Sequence, residues 1–174
     1  GLKKDPELAD KIDKAVFPGL QGGPHENAIA AIAVCLKEAS TPEFKSYAEQ
    51  VVKNAKALAE ELKNYGFNVI SGGTDNHLML IDLRNKNITG ARAQDLLESA
   101  GISTNRNSIP FDPAGPFNPS GLRMGTPSIT TRGMKELEMK MIAHWIKQVI
   151  SAPESAKGVK EEIKEFCKKF PLPK

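Results

Sequence analysis

The stretch from Thr41 to Gly66 repeats apolar side chains at the spacing of an α-helix. Thr41-Pro42-Glu43 is typical of a helix start, and Gly66 is typical of a helix stop. The apolar positions between them are Phe44, Tyr47, Ala48, Val51, Val52, Ala55, Leu58, Ala59 and Leu62. A long helix with one apolar face buries that face against a second layer, so the chain is expected to form a layered globular domain.

Short apolar segments after this helix predict strands, at residues 67–71, 78–83 and 102–104 and around Arg123. The turn-rich residues 72–76 join the first two strands and predict a hairpin. Further helices are expected from Thr89 to Gly101, over residues 134–149 and over residues 159–170. The sequence therefore predicts an α/β fold in which helices pack on a small, mainly antiparallel sheet.

Residues 105–119 carry four prolines and several asparagines, which predict a loop. This loop is longer than most connections inside a compact domain. Long loops of this kind often carry function.

The first forty residues have a different character. Residues 1–14 form a charged lead-in with a short helical pattern, and residues 15–24 predict a loop because they hold three glycines and two prolines. Residues 25–39 predict a helix with almost no polar face, which indicates burial on most sides. In a chain this small, such a helix is expected to be covered by another domain or subunit.

Composition excludes several classes of function. The net charge is +3, and basic and acidic residues are interleaved along the 174 residues, so no footprint for nucleic acid stands out. There is no apolar run long enough to span a membrane and no signal-peptide pattern. The two cysteines, Cys35 and Cys167, form neither a disulfide framework nor a zinc motif, so a reducing, cytoplasmic setting is expected. Because the first residue is Gly1 and not Met, the start is expected to be processed, engineered or internal to a longer chain.

The segment Ser120-Gly121-Leu122-Arg123-Met124-Gly125 places one arginine in a short apolar strand between two glycines. A planar guanidinium on a rigid strand suits bidentate capture of a small carboxylate. A surface or structural ion pair is the alternative. The following Thr126-Pro127 predicts a helix start, with Thr126 as N-cap.

Other polar residues admit both a functional and a structural interpretation. Gly22 and Gly23 precede a helix and could bind a phosphate, or they could form a plain turn. Asn105, Asn107 and Ser108 are typical turn formers. His77 could be a general base if a carboxylate orients it, but a structural histidine is the simpler interpretation. The three histidines have no spacing typical of a metal site, and Cys35 fits a small core residue.

Four motifs in this order resemble the serine hydroxymethyltransferase family. They are Ala15-Val16-Phe17-Pro18-Gly19-Leu20-Gln21-Gly22-Gly23-Pro24-His25, Ser71-Gly72-Gly73-Thr74-Asp75-Asn76-His77, Asn105-Arg106-Asn107-Ser108-Ile109-Pro110 and Ser120-Gly121-Leu122-Arg123-Met124-Gly125-Thr126-Pro127. The resemblance is to the C-terminal part of the family's enzymes and runs from about residue 11 to residue 150. It implies the small C-terminal domain of a fold type I enzyme that uses pyridoxal phosphate.

The resemblance also implies roles for individual residues. The family interconverts serine plus tetrahydrofolate with glycine plus 5,10-methylenetetrahydrofolate. Arg123 corresponds to the arginine that binds the carboxylate of the amino acid, and Gly22 and Gly23 to the loop that reaches the cofactor phosphate of the neighbouring subunit. Asn107 corresponds to the asparagine that hydrogen-bonds the folate pterin, and Gly115-Pro116-Phe117 would lie along the folate site.

What the sequence lacks limits these expectations. The family's cofactor lysine follows a histidine in a Thr-rich run, and no such run occurs in the 174 residues. The chain is therefore expected to be a C-terminal fragment with no catalytic residue of its own, and to be inactive alone. In this interpretation residues 1–40 are a remnant of the large domain, residues 41–150 the C-terminal α/β domain and residues 151–174 a helical extension.

The parent enzyme is expected to be a homodimer or tetramer. The alternative hypothesis is a free-standing, non-catalytic module that binds folate or an anion, or that regulates a full-length partner by forming a mixed dimer. A native start codon just before Gly1 would favour this second hypothesis.

Overall fold

The structure is a computed structural model that describes residues 6–173. The chain divides into two compact units, residues 1–41 and residues 42–174, which are described separately below. The fold of the second unit determines where the predicted site residues lie.

The first unit contains two helices joined by an irregular segment. Helix α1 spans Pro6–Lys14 and helix α2 spans Glu26–Ala39. Between them, Ala15–Leu20 makes helical hydrogen bonds but is broken at Phe17 and Pro18, whose dihedral angles are not helical and whose peptide bond is cis. The predicted loop is therefore irregular as expected, with a partly helical course.

The described residues of this chain do not cover α2, and its predicted burial against another domain or subunit stays a prediction. Every residue of α2 is exposed, and the side chains of Ile29, Ile32, Val34 and Leu36 are each more than half exposed. An all-apolar helix is buried only where layers cover several of its sides, and residues 6–41 supply only α1 and an irregular segment.

The second unit is an α/β sandwich. Its four strands are β1 (Asn68–Val69), β2 (Leu78–Asp82), β3 (Asn105–Asn107) and β4 (Gly121–Gly125). They form one antiparallel sheet in the order β1-β2-β4-β3. Its helices are α3 (Pro42–Asn64), α4 (Gly90–Ser99), α5 (Pro127–Thr131), α6 (Glu136–Ser151) and α7 (Ala156–Cys167). The predicted fold class is confirmed.

The helices cover one face of the sheet. Met79 and Ile81 of β2 alternate with outward-facing residues, as do Leu122 and Met124 of β4, and all four are buried. They pack in a single core with α3, α4, α6 and α7, which supply Leu58, Leu62, Leu97, Met139, Ile146, Val149 and Val159 among others. The opposite face carries no covering element of the second unit at Arg123, which is exposed.

Several element boundaries agree with the sequence. Helix α3 begins at Pro42 and its chain turns at Gly66, which has a positive φ of 73°. Thr89 caps α4, because its side chain accepts a hydrogen bond from the backbone N–H of Arg92 at 3.3 Å. Strands β1 and β2 pair antiparallel, so the predicted hairpin is confirmed, although β1 has only two residues.

Two local predictions are wrong. The strand expected at residues 102–104 lies instead at Asn105–Asn107, within the stretch predicted as a loop. Pairing with β4 supplies the hydrogen bonds there, and such tertiary pairing overrides the weak strand preference of asparagine. Thr126 precedes α5 but does not cap it; its hydroxyl donates instead to the backbone oxygen of Val51, at 2.8 Å.

Candidate functional site

Strand β4 holds the predicted arginine, and two glycines fix its position in the sheet. A Cβ atom at Gly121 would lie 2.6 Å from the backbone oxygen of Asn107 and 2.6 Å from Cγ2 of Ile109. A Cβ atom at Gly125 would lie 2.8 Å from the backbone oxygen of His77. The glycines on either side of Arg123 are therefore explained by close approach of neighbouring backbone.

Arg123 lies on the open face of the sheet. In the ladder it stands opposite Leu80 of β2 and Asn105 of β3. Its side chain is exposed, and none of the ion pairs or hydrogen bonds found within residues 6–173 involves its guanidinium. The alternative of a structural ion pair has no support in the described part of the chain, and all five N–H donors are available to a ligand.

The register of the sheet places Asn107 on the same face as Arg123. Asn107 pairs with Gly121 and Asn105 pairs with Arg123, so the four residues share one side of the β3–β4 ladder. Residues diagonal to each other across a ladder are within reach of long side chains. The Asn107 side chain now donates to the backbone oxygen of Ser108 at 2.8 Å, and its own amide oxygen has no described partner.

A single carboxylate closes the loop between β3 and β4. Asp112 accepts hydrogen bonds from the backbone N–H groups of Ile109, Ala114 and Ser120 and from the hydroxyl of Ser120, at 2.7 to 3.2 Å. The donors of Ser120 contribute most to holding the pKa of Asp112 well below its usual range. The carboxylate therefore holds the loop to the first residue before β4.

Asp112 is the residue that the sequence reasoning missed. The Asp112-Pro113 pair is a turn signal, and the bond from the Asp112 carboxylate to the N–H two residues later is the expected consequence. That signal predicts the local turn. It does not predict the bonds to Ser120, because those depend on where β4 places the backbone.

The predicted folate-contacting stretch Gly115-Pro116-Phe117 lies at the outer part of this loop. All three residues are exposed, and the Phe117 side chain is 88% exposed. The N–H of Asn118 donates to the backbone oxygen of Gly115 at 3.1 Å, which forms a local turn. The loop thus presents an aromatic ring that makes no ring contact with other described residues.

A shallow depression of about 490 Å³ opens beside Arg123. Its wall includes His77, Leu78, Ser103, Thr104, Asn105, Arg123, Met124 and Gly125. His77 is exposed, and no carboxylate in the described residues hydrogen-bonds its imidazole. The condition set for a general base at His77 is therefore not met within this chain. The depression instead offers one cation and the amide of Asn105, which suits a small anion.

Gly22 and Gly23 belong to the first unit. Both are exposed, and a Cβ atom at either position would meet no atom within 4 Å. Their N–H groups make no backbone hydrogen bond within residues 6–173. A phosphate would therefore meet open backbone donors there, although the first turn of α2 also carries the acidic Glu26.

Within residues 6–173, no group of three or more histidine, cysteine, aspartate or glutamate side chains could hold a metal ion. No helix in that range is both long and apolar enough to cross a membrane.

The second unit therefore belongs to the class of α/β domains in which helices cover one face of a small antiparallel sheet. Its open face carries the exposed Arg123. The family is shown by comparison with known proteins. A family model for serine hydroxymethyltransferase matches residues 1–146, so the chain belongs to the serine hydroxymethyltransferase family. Enzymes of this family generally depend on pyridoxal phosphate.

Proposed function

We propose that this chain supplies the amino-acid carboxylate site of a serine hydroxymethyltransferase, with Arg123 as the residue that binds the carboxylate of serine or glycine. One observation carries the proposal: the Arg123 guanidinium is exposed beside a depression and makes no ion pair with a described carboxylate. A guanidinium that is not neutralised by its own chain retains its full attraction for a ligand carboxylate.

The rigidity of β4 supports this role. The strand pairs over its whole length with β2 and from Gly121 to Arg123 with β3, and Gly121 and Gly125 let its neighbours approach closely. A carboxylate bound by two parallel N–H donors on a fixed strand is held in one orientation. Such positioning lowers the barrier of a reaction at the adjacent carbon by removing rotational freedom beforehand.

Tetrahydrofolate is the proposed second substrate. Asn107 lies on the same sheet face as Arg123, two ladder positions away, and its amide can both donate to and accept from a pterin ring. The loop that carries Gly115, Pro116 and Phe117 begins directly beyond Asn107 and offers the exposed Phe117 ring for contact with the rest of the folate. We place the two substrates side by side on the open face.

Pyridoxal phosphate is the proposed cofactor of the whole enzyme, where it withdraws electrons from the bound amino acid. Gly22 and Gly23 would contribute backbone N–H groups to its phosphate in a neighbouring subunit. Their unpaired N–H groups and the open space at both Cα atoms fit that role. The 174 residues contain no lysine that follows a histidine, so we propose that they do not form the covalent cofactor link themselves.

Association with further protein is the remaining part of the proposal. The apolar side chains of α2 are exposed, and an apolar surface of this kind favours contact with protein over water. We propose that residues 1–40 belong with the large domain of a homodimer or tetramer. The same observation favours a second candidate function, a non-catalytic module that forms a mixed dimer with a full-length enzyme.

Two assays test the proposal. In the first, the chain alone is incubated with serine, pyridoxal phosphate and tetrahydrofolate, and no glycine is expected; turnover at the level of a complete enzyme would contradict it. In the second, the chain is joined to the preceding segment of a family enzyme and Arg123 is changed to Lys. Loss of the bidentate contact should raise KM for serine at least about ten-fold.

A matched control separates the carboxylate role from a general effect of charge. Arg106 is an exposed arginine on β3. It pairs with Leu122, so alternation along the strand places it on the face opposite Arg123. Arg106→Lys should leave KM for serine within about two-fold of the parent value. Equal effects of the two substitutions would refute the assignment of Arg123.

A further inference from the structure

A second cavity lies among the helices that cover the sheet. It has a volume of about 240 Å³, is partly open to solvent, and is lined by residues of α5, α6 and α7 and by the segment after α4. Its apolar wall includes Trp145, Ile146, Ile163 and Phe166. A cavity of about 150 Å³ with an apolar lining is already large enough to bind benzene, whereas drug-sized ligands need about 300 Å³ or more. The space therefore matches a molecule with one aromatic ring.

Thr104 gives this cavity a polar position. Among the described residues, its hydroxyl is the one buried side-chain oxygen or nitrogen without a hydrogen-bond partner. Thr104 lines the cavity, and rotation about its Cα–Cβ bond redirects the hydroxyl among three staggered positions. An unpaired buried hydroxyl favours any occupant that can hydrogen-bond to it.

The charged residue of the cavity wall already has partners. Arg132 donates from Nε to the backbone oxygen of Phe170 at 2.7 Å and from Nη2 to that of Cys167 at 3.3 Å. These bonds hold the guanidinium against the end of α7. Both partners are uncharged carbonyl oxygens, so an anion is the competing occupant, and benzoate is the probe that tests it.

The cavity depends on a part of the chain that the family match does not reach. Ile163, Phe166 and Cys167 belong to α7, beyond the matched residues 1–146. Ser103, Thr104, Met124 and Gly125 line both this cavity and the depression beside Arg123. An occupant would thus contact the strand that carries Arg123.

We propose that this cavity, formed by α5, α6, α7 and Thr104, binds a small neutral aromatic molecule that carries one hydroxyl or carbonyl group. The ring lies against Trp145 and Phe166, whose own rings meet edge to face with centroids 5.2 Å apart. The polar group hydrogen-bonds to Thr104. The site shares part of its wall with the depression beside Arg123, and its occupation requires neither serine nor pyridoxal phosphate.

Trp145 provides a direct measurement, because it is the single tryptophan of the chain and lines the cavity. The intact chain is titrated with benzyl alcohol while the emission of Trp145 is recorded. Saturable change with a dissociation constant on the order of 1 mM or below is expected. Ethylbenzene, which has the same shape but no hydroxyl, is the control probe, because its affinity does not depend on a hydrogen bond to Thr104.

Variants identify the partner of the hydroxyl. Thr104→Val keeps the side-chain shape and should weaken benzyl alcohol about five-fold while leaving ethylbenzene unchanged. Thr131→Val, outside the cavity wall, should change neither. Ile163→Phe should fill the space and abolish binding of both probes.

Three results would overturn the proposal: no saturable change with either aromatic probe in the folded chain, equal weakening of both probes by Thr104→Val, or tighter binding of benzoate than of benzyl alcohol. The last would make Arg132 the recognition group. Because the readout is fluorescence of the chain without cofactor, failure here is distinguishable from failure of the proposed enzymatic function.

Discussion

Replacing Gly121 by alanine tests whether close backbone approach fixes the strand that carries Arg123. The new Cβ would lie 2.6 Å from the backbone oxygen of Asn107, where ordinary van der Waals contact begins at 3.4 Å. It would also lie 2.6 Å from Cγ2 of Ile109 and 3.1 Å from the backbone oxygen of Ile81. The oxygens of Asn107 and Ile81 are backbone atoms, so no rotation of a side chain relieves these two contacts.

The expected cost follows from what has to move. Either β3 separates from β4 at the Asn107 pair, or β4 shifts out of register with β2; each weakens ladder hydrogen bonds in addition to the strain of overpacking. Together these effects should reduce the free energy of unfolding by about 2 to 3 kcal/mol. For a unit of this size the midpoint of thermal unfolding should fall by about 10 °C.

The assay is urea and thermal unfolding followed by the emission of Trp145, which is buried in the second unit and reports on that unit alone. Gly115→Ala is the matched control, because its Cβ would meet no atom within 4 Å. It should be neutral or slightly stabilising, by up to about 1 kcal/mol. If the free energies of unfolding of Gly121→Ala and Gly115→Ala differed by less than about 0.5 kcal/mol, close backbone approach would not explain the glycine at position 121.

Three further predictions concern side chains that hold elements in place. The pKa of Asp112 is lowered in the folded state, so its carboxylate stabilises the fold above the ordinary pKa of 3.8, and this stabilisation is lost as the pH falls below that value. The difference in melting temperature between the parent and Asp112→Asn should therefore shrink below about pH 4. A difference that stays constant with pH would contradict this. Asn54→Leu removes the two hydrogen bonds that Asn54 donates and leaves the backbone oxygen of Met134 unpaired. The free energy of unfolding measured in urea should fall by about 3 kcal/mol, and a fall of less than about 1 kcal/mol would refute a structural role for these bonds. Thr89→Ala removes the cap of α4 and should cost about 1 kcal/mol in the same assay, while the control Thr89→Ser keeps the accepting oxygen and should cost clearly less.

Local sequence signals were sufficient to predict those features that a single segment determines by itself. The start of α3 at Pro42, the stops at Gly66 and Gly101 and the cap at Thr89 all follow from backbone preferences of single residues. The hairpin was predictable for the same reason. The class of fold then followed from the order of helices and strands.

The remaining features depend on contacts between distant segments. Strand β3 consists of two asparagines and an arginine, which have weak strand preference, and it exists because β4 pairs with it. Thr126 has the residue type of an N-cap, yet its hydroxyl is used by Val51 of α3, a partner seventy-five positions away. The prediction of Arg123 as a ligand-binding residue rested on its glycine neighbours and on the resemblance, but its lack of a neutralising partner could be learned only from the fold.

The two glycines beside Arg123 connect the fold to the proposed site. Alternation along β4 places Leu122 and Met124 in the core and turns Arg123 to the open face, so burial of the two apolar neighbours determines where the guanidinium emerges. A shift of β4 by one residue would turn the guanidinium of Arg123 into the core, and burying an unpaired charge is strongly unfavourable. The core therefore enforces the position of Arg123, and the glycines at both ends allow the adjacent strands to close on it. The free cation on the surface is in this sense a consequence of packing on the opposite side of the sheet.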